Sequence, residues 1–168
     1  MAEIMKKLTY GYKNCPVPGG GFVTGFLFHK KASDVLYCRT DIGGTYRYDF
    51  EKNIWQSLID HVCDDDNLEC YPLSIALDDD NADTLFIACG DGKSGRLCIS
   101  YDRGQTFTYK PIPCSIHGNF PGRATGERLL YKNGILWFAS QSEGLLKSSD
   151  MGDSWEKAEV FGDYCTGT

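Results

Sequence analysis

Two stretches of this chain share one pattern. Ser100-Tyr-Asp102-Arg-Gly104-Gln-Thr106-Phe107 and Ser148-Ser-Asp150-Met-Gly152-Asp-Ser154-Trp155 both read Ser-x-Asp-x-Gly-x-Thr/Ser-aromatic. An internal repeat restricts architecture more than local propensity does, because each copy must solve the same packing problem against its neighbour. A weaker first copy, Asp49-Phe-Glu-Lys-Asn-Ile-Trp55, is one residue longer and has lost the glycine. The residue types give the motif a mechanical reading. The serine ends one strand, and the aspartate accepts backbone N–H groups in the turn. The glycine takes positive φ, the hydroxyl residue opens the next strand, and the aromatic packs into the sheet. Asp102, Gly104, Asp150, Gly152 and Trp155 are therefore assigned to a hairpin device, not to chemistry.

Four short strands are expected around each copy. The first set is Phe22–His29, Val35–Arg39, Thr45–Tyr48 and Ile54–Leu58. The second is Leu73–Leu77, Thr84–Cys89, Leu97–Ser100 and Phe107–Lys110. The third is Glu127–Tyr131, Ile135–Ala139, Gly144–Ser148 and Trp155–Glu159. Apolar runs bounded by Asp-Asp-Asn, Gly-Gly and Asn-Gly support them, and Asn133-Gly134 is a two-residue hairpin signal. No helix of useful length competes. Four strands per repeat of about 50 residues is the pattern of a β-propeller blade. The fold class expected is all-β: a partial β-propeller of about three four-stranded blades with Asp-box hairpins. The blades cover about 19–60, 71–112 and 124–160 within a single unit, 1–168. Propellers close with roughly four to eight blades, so three leave sheet edges and apolar faces open. A missing remainder of the propeller, or self-association, is expected to cover them, and the end at Thr168 reads as that of a fragment.

Nineteen glycines and 13% aromatics suit many strands joined by tight turns, and a net charge of −6 gives neither nucleic acid nor an anionic membrane a partner surface. No stretch approaches the roughly 18 apolar residues of a membrane span. The N-terminus lacks the apolar run of a signal peptide, which points to the cytoplasm, or to secretion if a leader was removed. None of the eight cysteines forms a C-x-x-C pair, and reduced thiols are expected. No metal or other cofactor is expected. Asp64–Asp66 and Asp78–Asp80 lack the spacing of a calcium loop, and His29, His61 and His117 show no ligand spacing. Neither a Ser-His-Asp arrangement nor a phosphate loop can be read.

The stretch that invites chemistry is Leu36-Tyr-Cys-Arg-Thr-Asp41-Ile-Gly-Gly-Thr-Tyr-Arg-Tyr-Asp49. Asp41 falls between two expected strands and is followed by Gly43-Gly44. That setting predicts an exposed carboxylate at a strand end, with glycines letting another chain, such as a sugar polymer, approach. An aspartate that only caps a turn is the alternative.

Four blocks stand out: Gly19-Gly-Gly-Phe-Val-Thr-Gly25, Leu36–Asp49 as quoted above, Gly118-Asn-Phe-Pro-Gly-Arg-Ala-Thr-Gly-Glu-Arg-Leu129, and Gly144-Leu-Leu-Lys-Ser-Ser-Asp-Met-Gly-Asp-Ser-Trp155. Together they resemble the family-74 glycoside hydrolases, which include xyloglucanases. The resemblance implies the N-terminal, opening part of the first of two seven-bladed propellers that face each other across a cleft for a branched β-1,4-glucan. It implies hydrolysis with inversion by two aspartates, one on each propeller. Asp41 matches the general base; the partner acid has no counterpart here, so the 168-residue chain alone is expected to be inactive. Asn119, Arg123, Glu127 and Arg128 match a segment beside the cleft. They are expected either to hydrogen-bond sugar hydroxyls or to brace the loop, through Arg128–Glu127 or Arg123 with a carboxylate. Tyr46, Tyr48 and Phe120 are candidates to stack on sugar rings. Two departures stand out: Tyr71-Pro72-Leu73-Ser74 replaces the family's Gly-Ile-Glu-Ser, and the loop Asp91–Gly95 is short. Alternatives are a binding propeller without hydrolytic role, or a sialidase-like enzyme using Arg39, Arg47, Arg96, Arg103, Arg123 or Arg128 on a substrate carboxylate. The lack of an Arg-Ile-Pro entry motif disfavours the latter.

Overall fold

The computed structural model describes residues 11–12, 16–60, 68–119 and 126–159. Within them lie twelve strands in three four-stranded antiparallel sheets. The first sheet is β1 (Val23–Phe28), β2 (Leu36–Thr40), β3 (Thr45–Asp49) and β4 (Ile54–Ser57). The second is β5 (Pro72–Leu77), β6 (Leu85–Cys89), β7 (Gly95–Ser100) and β8 (Thr108–Ile112). The third is β9 (Leu129–Lys132), β10 (Ile135–Ala139), β11 (Leu145–Ser148) and β12 (Glu156–Lys157). Each sheet is a meander in chain order. These are the blades of a partial β-propeller. The described residues include one complete 3-10 turn, Leu68–Cys70, and no α-helix.

The strand ends differ from the sequence expectation where side chains or turns claim the backbone. Thr84 belongs to a turn, its N–H donating to the Asn81 carbonyl at 3.0 Å. Gly144, at φ 77°, closes the turn from Ser140. Trp155 precedes the short β12, and the Ala158 N–H continues that pairing onto the Leu145 carbonyl at 2.9 Å. Residues 124, 125 and 160 of the expected third blade lie outside the described residues.

Burial explains why the strands read so differently. The middle sheet is covered on both faces, so β5 and β6 are buried at every position and appear as unbroken apolar runs. Leu85, Ile87, Cys89 and Cys98 face the first sheet, joining Val35, Tyr37 and Leu58. Phe86, Ala88, Leu97 and Ile99 face the third, joining Leu129, Leu136, Phe138 and Leu146. In β1 the pattern alternates: Leu27 packs inward, while Phe26 and Phe28 are 55% and 65% exposed on the outer face. Cys38, Cys70, Cys89, Cys98 and Cys114 are free thiols.

The repeated motif folds as its residues predict. Asp102 Oδ1 accepts the Ser100 hydroxyl at 2.7 Å and the Gln105 and Thr106 amides at 3.0 and 2.9 Å; its Oδ2 accepts the Thr106 hydroxyl at 2.6 Å. Asp150 is held in the same way by Ser148 and Ser154. Arg103 and Gly104, and Met151 and Gly152, all take positive φ. The glycine has a second reason beyond the turn. A Cβ at Gly104 would lie 2.8 Å from Leu58 of the first sheet, and one at Gly152 2.6 Å from Leu97 of the second. Each turn thus presses its bare backbone onto the preceding blade. In the first copy Asn53 supplies the positive φ, as asparagine can.

This geometry predicts a pH dependence. Burial opposes ionisation of Asp102, but hydrogen bonds from Thr106, Ser100 and Gln105 outweigh it and bring the carboxyl from 3.8 down to about 2. Hydrogen bonds from Ser154 and Ser148 bring Asp150 down to about 2. A folded value below the unfolded one gives stability that is present above the unfolded value and lost as pH falls through the folded one. For Asp102→Asn, the melting-temperature gap from the parent chain is expected to be constant above about pH 5 and to narrow as pH falls towards 2. A gap that ignores pH would show that the ionised carboxylate is not what stabilises the turn.

Candidate active-site edge

The strand register sorts the connections onto two edges. On one lie the Asp-box turns, with Lys30 and Lys132 bound to Asp79 across three sheets at 2.9 and 2.6 Å. On the other lie Gly19–Phe22, Asp41–Gly44, the Leu68–Tyr71 turn, Gly90–Gly92, Ile116–Asn119 and Gly126–Arg128. Backbone bonds join these segments: Gly43 N–H to the Cys70 carbonyl at 2.9 Å, Gly90 N–H to Tyr71 and Gly118 N–H to Gly90, both at 3.2 Å.

Asp41 sits where β2 ends, but the residue is buried, 5% exposed, which corrects the expectation of an exposed carboxylate. The cause is the Gly19–Phe22 segment, which folds over it. Phe22 N–H donates to Asp41 Oδ1 at 2.6 Å, Ile42 N–H donates to the same oxygen at 2.9 Å, and Asp41 N–H returns a bond to the Phe22 carbonyl at 2.9 Å. The glycines do permit close approach, but of the chain to itself. Gly21, at φ 97°, leaves no room for a Cβ against the Ile42 carbonyl, and a Cβ at Gly43 would stand 2.5 Å from the Gly20 carbonyl.

Tyr46 is 2% exposed beneath Gly19, and its hydroxyl donates to the Gly43 carbonyl at 2.8 Å, so it supports the Asp41 turn from below. Burial raises its phenol above the ordinary value. Asn119 is half-buried at the same edge. Arg123 and Phe120 lie outside the described residues.

Among the described residues Glu127 is bound by Arg39 and not by Arg128, while the alternative brace through Arg123 lies outside the described residues. Its Oε1 accepts Arg39 Nε at 3.0 Å; its Oε2 accepts the Ser74 hydroxyl at 2.7 Å and the Ile75 amide at 2.6 Å. Arg39 is fully buried, donating also to Thr24 Oγ1 at 2.7 Å and the Gly126 carbonyl at 2.8 Å. Arg128 joins through its backbone, its N–H donating to Ser74 Oγ at 2.8 Å and its carbonyl accepting from Ala139 at 2.9 Å. Sequence reasoning offered Arg39 only as one of six arginines for a sialidase-like site, and no local signal marks its pairing, since its counter-charge lies on the segment leading into the third sheet. Glu69 was missed for a similar reason: it is buried in the 3-10 turn and paired with Arg96 at 2.9 Å.

No protein-family model matches the chain. Curated relatives do. The chain is 36% identical to a probable oligoxyloglucan-reducing end-specific xyloglucanase of Neosartorya fischeri, over 92% of this chain and 20% of that protein. It is 38% identical to a xyloglucanase of a Paenibacillus species, over 90% of this chain and 16% of that protein. The crystal structure of the GH74 xyloglucanase from Xanthomonas campestris matches with a TM-score of 0.77 and 36% identity, over 89% of this chain and 22% of that one. YCF48 from Cyanidioschyzon merolae, at 12% identity and a TM-score of 0.58, shares the fold alone. The chain spans about a fifth of the length of the curated relatives it matches. With identities of this size across three stacked blades, the chain carries a segment of a family-74 glycoside hydrolase.

Proposed function

We propose that this chain is part of an inverting hydrolase of β-1,4-glucan, with xyloglucan as its substrate, and that it supplies the general base, Asp41. The observation that carries this reading is the pinned Asp41 carboxylate. Two backbone amides converge on Oδ1 at 2.6 and 2.9 Å, at the edge away from the Asp-box turns. A base must hold its oxygens in a set direction to orient a water towards the anomeric carbon. An inverting enzyme separates its carboxyls by roughly 6.5–9.5 Å, so water fits between base and sugar. The partner acid belongs to residues beyond this chain. The names of the relatives support xyloglucan as the polysaccharide.

A second reading, a carbohydrate- or protein-binding propeller without hydrolysis, draws on the 5% exposure of Asp41. The test is reconstitution. The chain replaces the 163 matching residues of the Paenibacillus xyloglucanase, and xyloglucan cleavage is assayed for the hybrid and for the chain alone. The hybrid is expected to cleave and the chain alone to be inactive. Cleavage by the chain alone would defeat the two-part site, and an inactive but folded hybrid would favour the binding module.

A further inference from the structure

We infer that Glu127 is a positioning residue for Asp41, acting through Arg39; this rests on the reading of Asp41 as the base. The first sheet has a register irregularity between Val23 and Gly25, opposite Thr40 and Arg39, immediately before Asp41. The second sheet has the equivalent irregularity between Pro72 and Ser74. A β-bulge re-aims the residues beside it, and it holds its register only when something pins the extra residue.

One carboxylate pins both. Glu127 Oε1 takes Arg39 Nε at 3.0 Å, and the Arg39 fork reaches Thr24, the extra residue of the first bulge, at 2.7 Å. Glu127 Oε2 takes the hydroxyl of Ser74, which flanks the second bulge, at 2.7 Å. Ser74 Oγ in turn accepts the Arg128 and Leu129 amides, both at 2.8 Å. The packing makes room for this group. A Cβ at Gly25 would lie 2.8 Å from Glu127 Oε1 and 3.3 Å from Arg39 Nε. A planar guanidinium with five fixed donors suits such a clamp, and lysine would not replace it. The third blade thereby sets where β2 ends, and with it the meeting of Asp41 with the Phe22 and Ile42 amides.

The test is amide hydrogen exchange on the 168-residue chain, parent against Glu127→Gln. Glutamine keeps the size and one acceptor, so its NH2 must face either Arg39 or the Ile75 amide, and the clamp loses one of its two sides. Exchange at Phe22 and Ile42 is expected to rise about tenfold or more, while Gly104 and Gly152, which bond to serine hydroxyls at the opposite edge, stay within about twofold. Lys132→Ala, which removes an ion pair at that opposite edge, is expected to leave Phe22 and Ile42 unchanged. Unchanged exchange at Phe22 and Ile42 in Glu127→Gln, or an equal rise at all four amides, would overturn the inference. Should Glu127→Gln not fold, Arg39→Met, which cuts the link from Glu127 to Thr24, carries the test with the same two outcomes. Hydrolysis is not read, so a negative result removes the positioning role and leaves the base assignment to its own test.

Discussion

Asp41→Asn in the hybrid enzyme is expected to lower kcat by about 10²–10⁴-fold, with KM nearly unchanged. Asparagine preserves the shape of the side chain, and its Oδ1 can still accept the Phe22 and Ile42 amides that hold the aspartate. What it loses is the capacity to take a proton from water. A loss confined to kcat is therefore the mark of proton transfer, whereas a collapsed turn would also raise KM and lower the melting temperature. Xyloglucan hydrolysis measured over a range of substrate concentrations separates these outcomes. Unchanged kcat would leave Asp41 as a turn-capping residue and return the chain to the binding reading.

Glu127→Ala is expected to destabilise the chain by about 3–5 kcal/mol, because it strands a buried guanidinium without its counter-charge. Arg39 is fully buried, so water entering the space left by Glu127 replaces the carboxylate only in part. The reverse deletion should be milder. In Arg39→Met the Glu127 carboxylate keeps the Ser74 hydroxyl and Ile75 amide and remains 24% exposed, so a loss of about 1–3 kcal/mol is expected. Denaturant midpoints at equal m-values give both numbers. If Arg39→Met proved the more damaging, the guanidinium would be holding the blades by its other bonds, to Thr24 and Gly126, more than by its pairing with Glu127.

The fold was legible because its signals are local. Ser100, Asp102, Gly104 and Thr106 lie within a few residues of one another, and the hydrogen bonds among these four are made inside that span, although Arg103 between them reaches out to Asp83 and Asp34. The strands were legible because the middle blade must be apolar on both faces. The site was only half legible. The position of Asp41 at a strand end follows from its neighbours, but its burial does not, since the cover comes from Gly19–Phe22 on the far side of β1. Tyr46 was a sugar-stacking candidate by residue type, and Glu127 a contact or a brace by resemblance; the structure shows hydrogen-bond partners within the protein for both. For Glu127 the partner lies on another blade, and neither periodicity nor spacing carries information about a pairing between blades.

The separation of the two edges by strands of only a few residues has a consequence for how such a protein can change over time. Each Asp-box turn closes its own side-chain hydrogen bonds within its repeat, so a copied or exchanged repeat arrives with that fastening, while the ion pairs from Lys30 and Lys132 to Asp79 must be remade between repeats. The opposite rim is spelled by residues from three repeats at once, and Glu127 ties them into a single unit. Blades should therefore be interchangeable as parts, whereas catalytic competence should be inherited only by combinations that travel together.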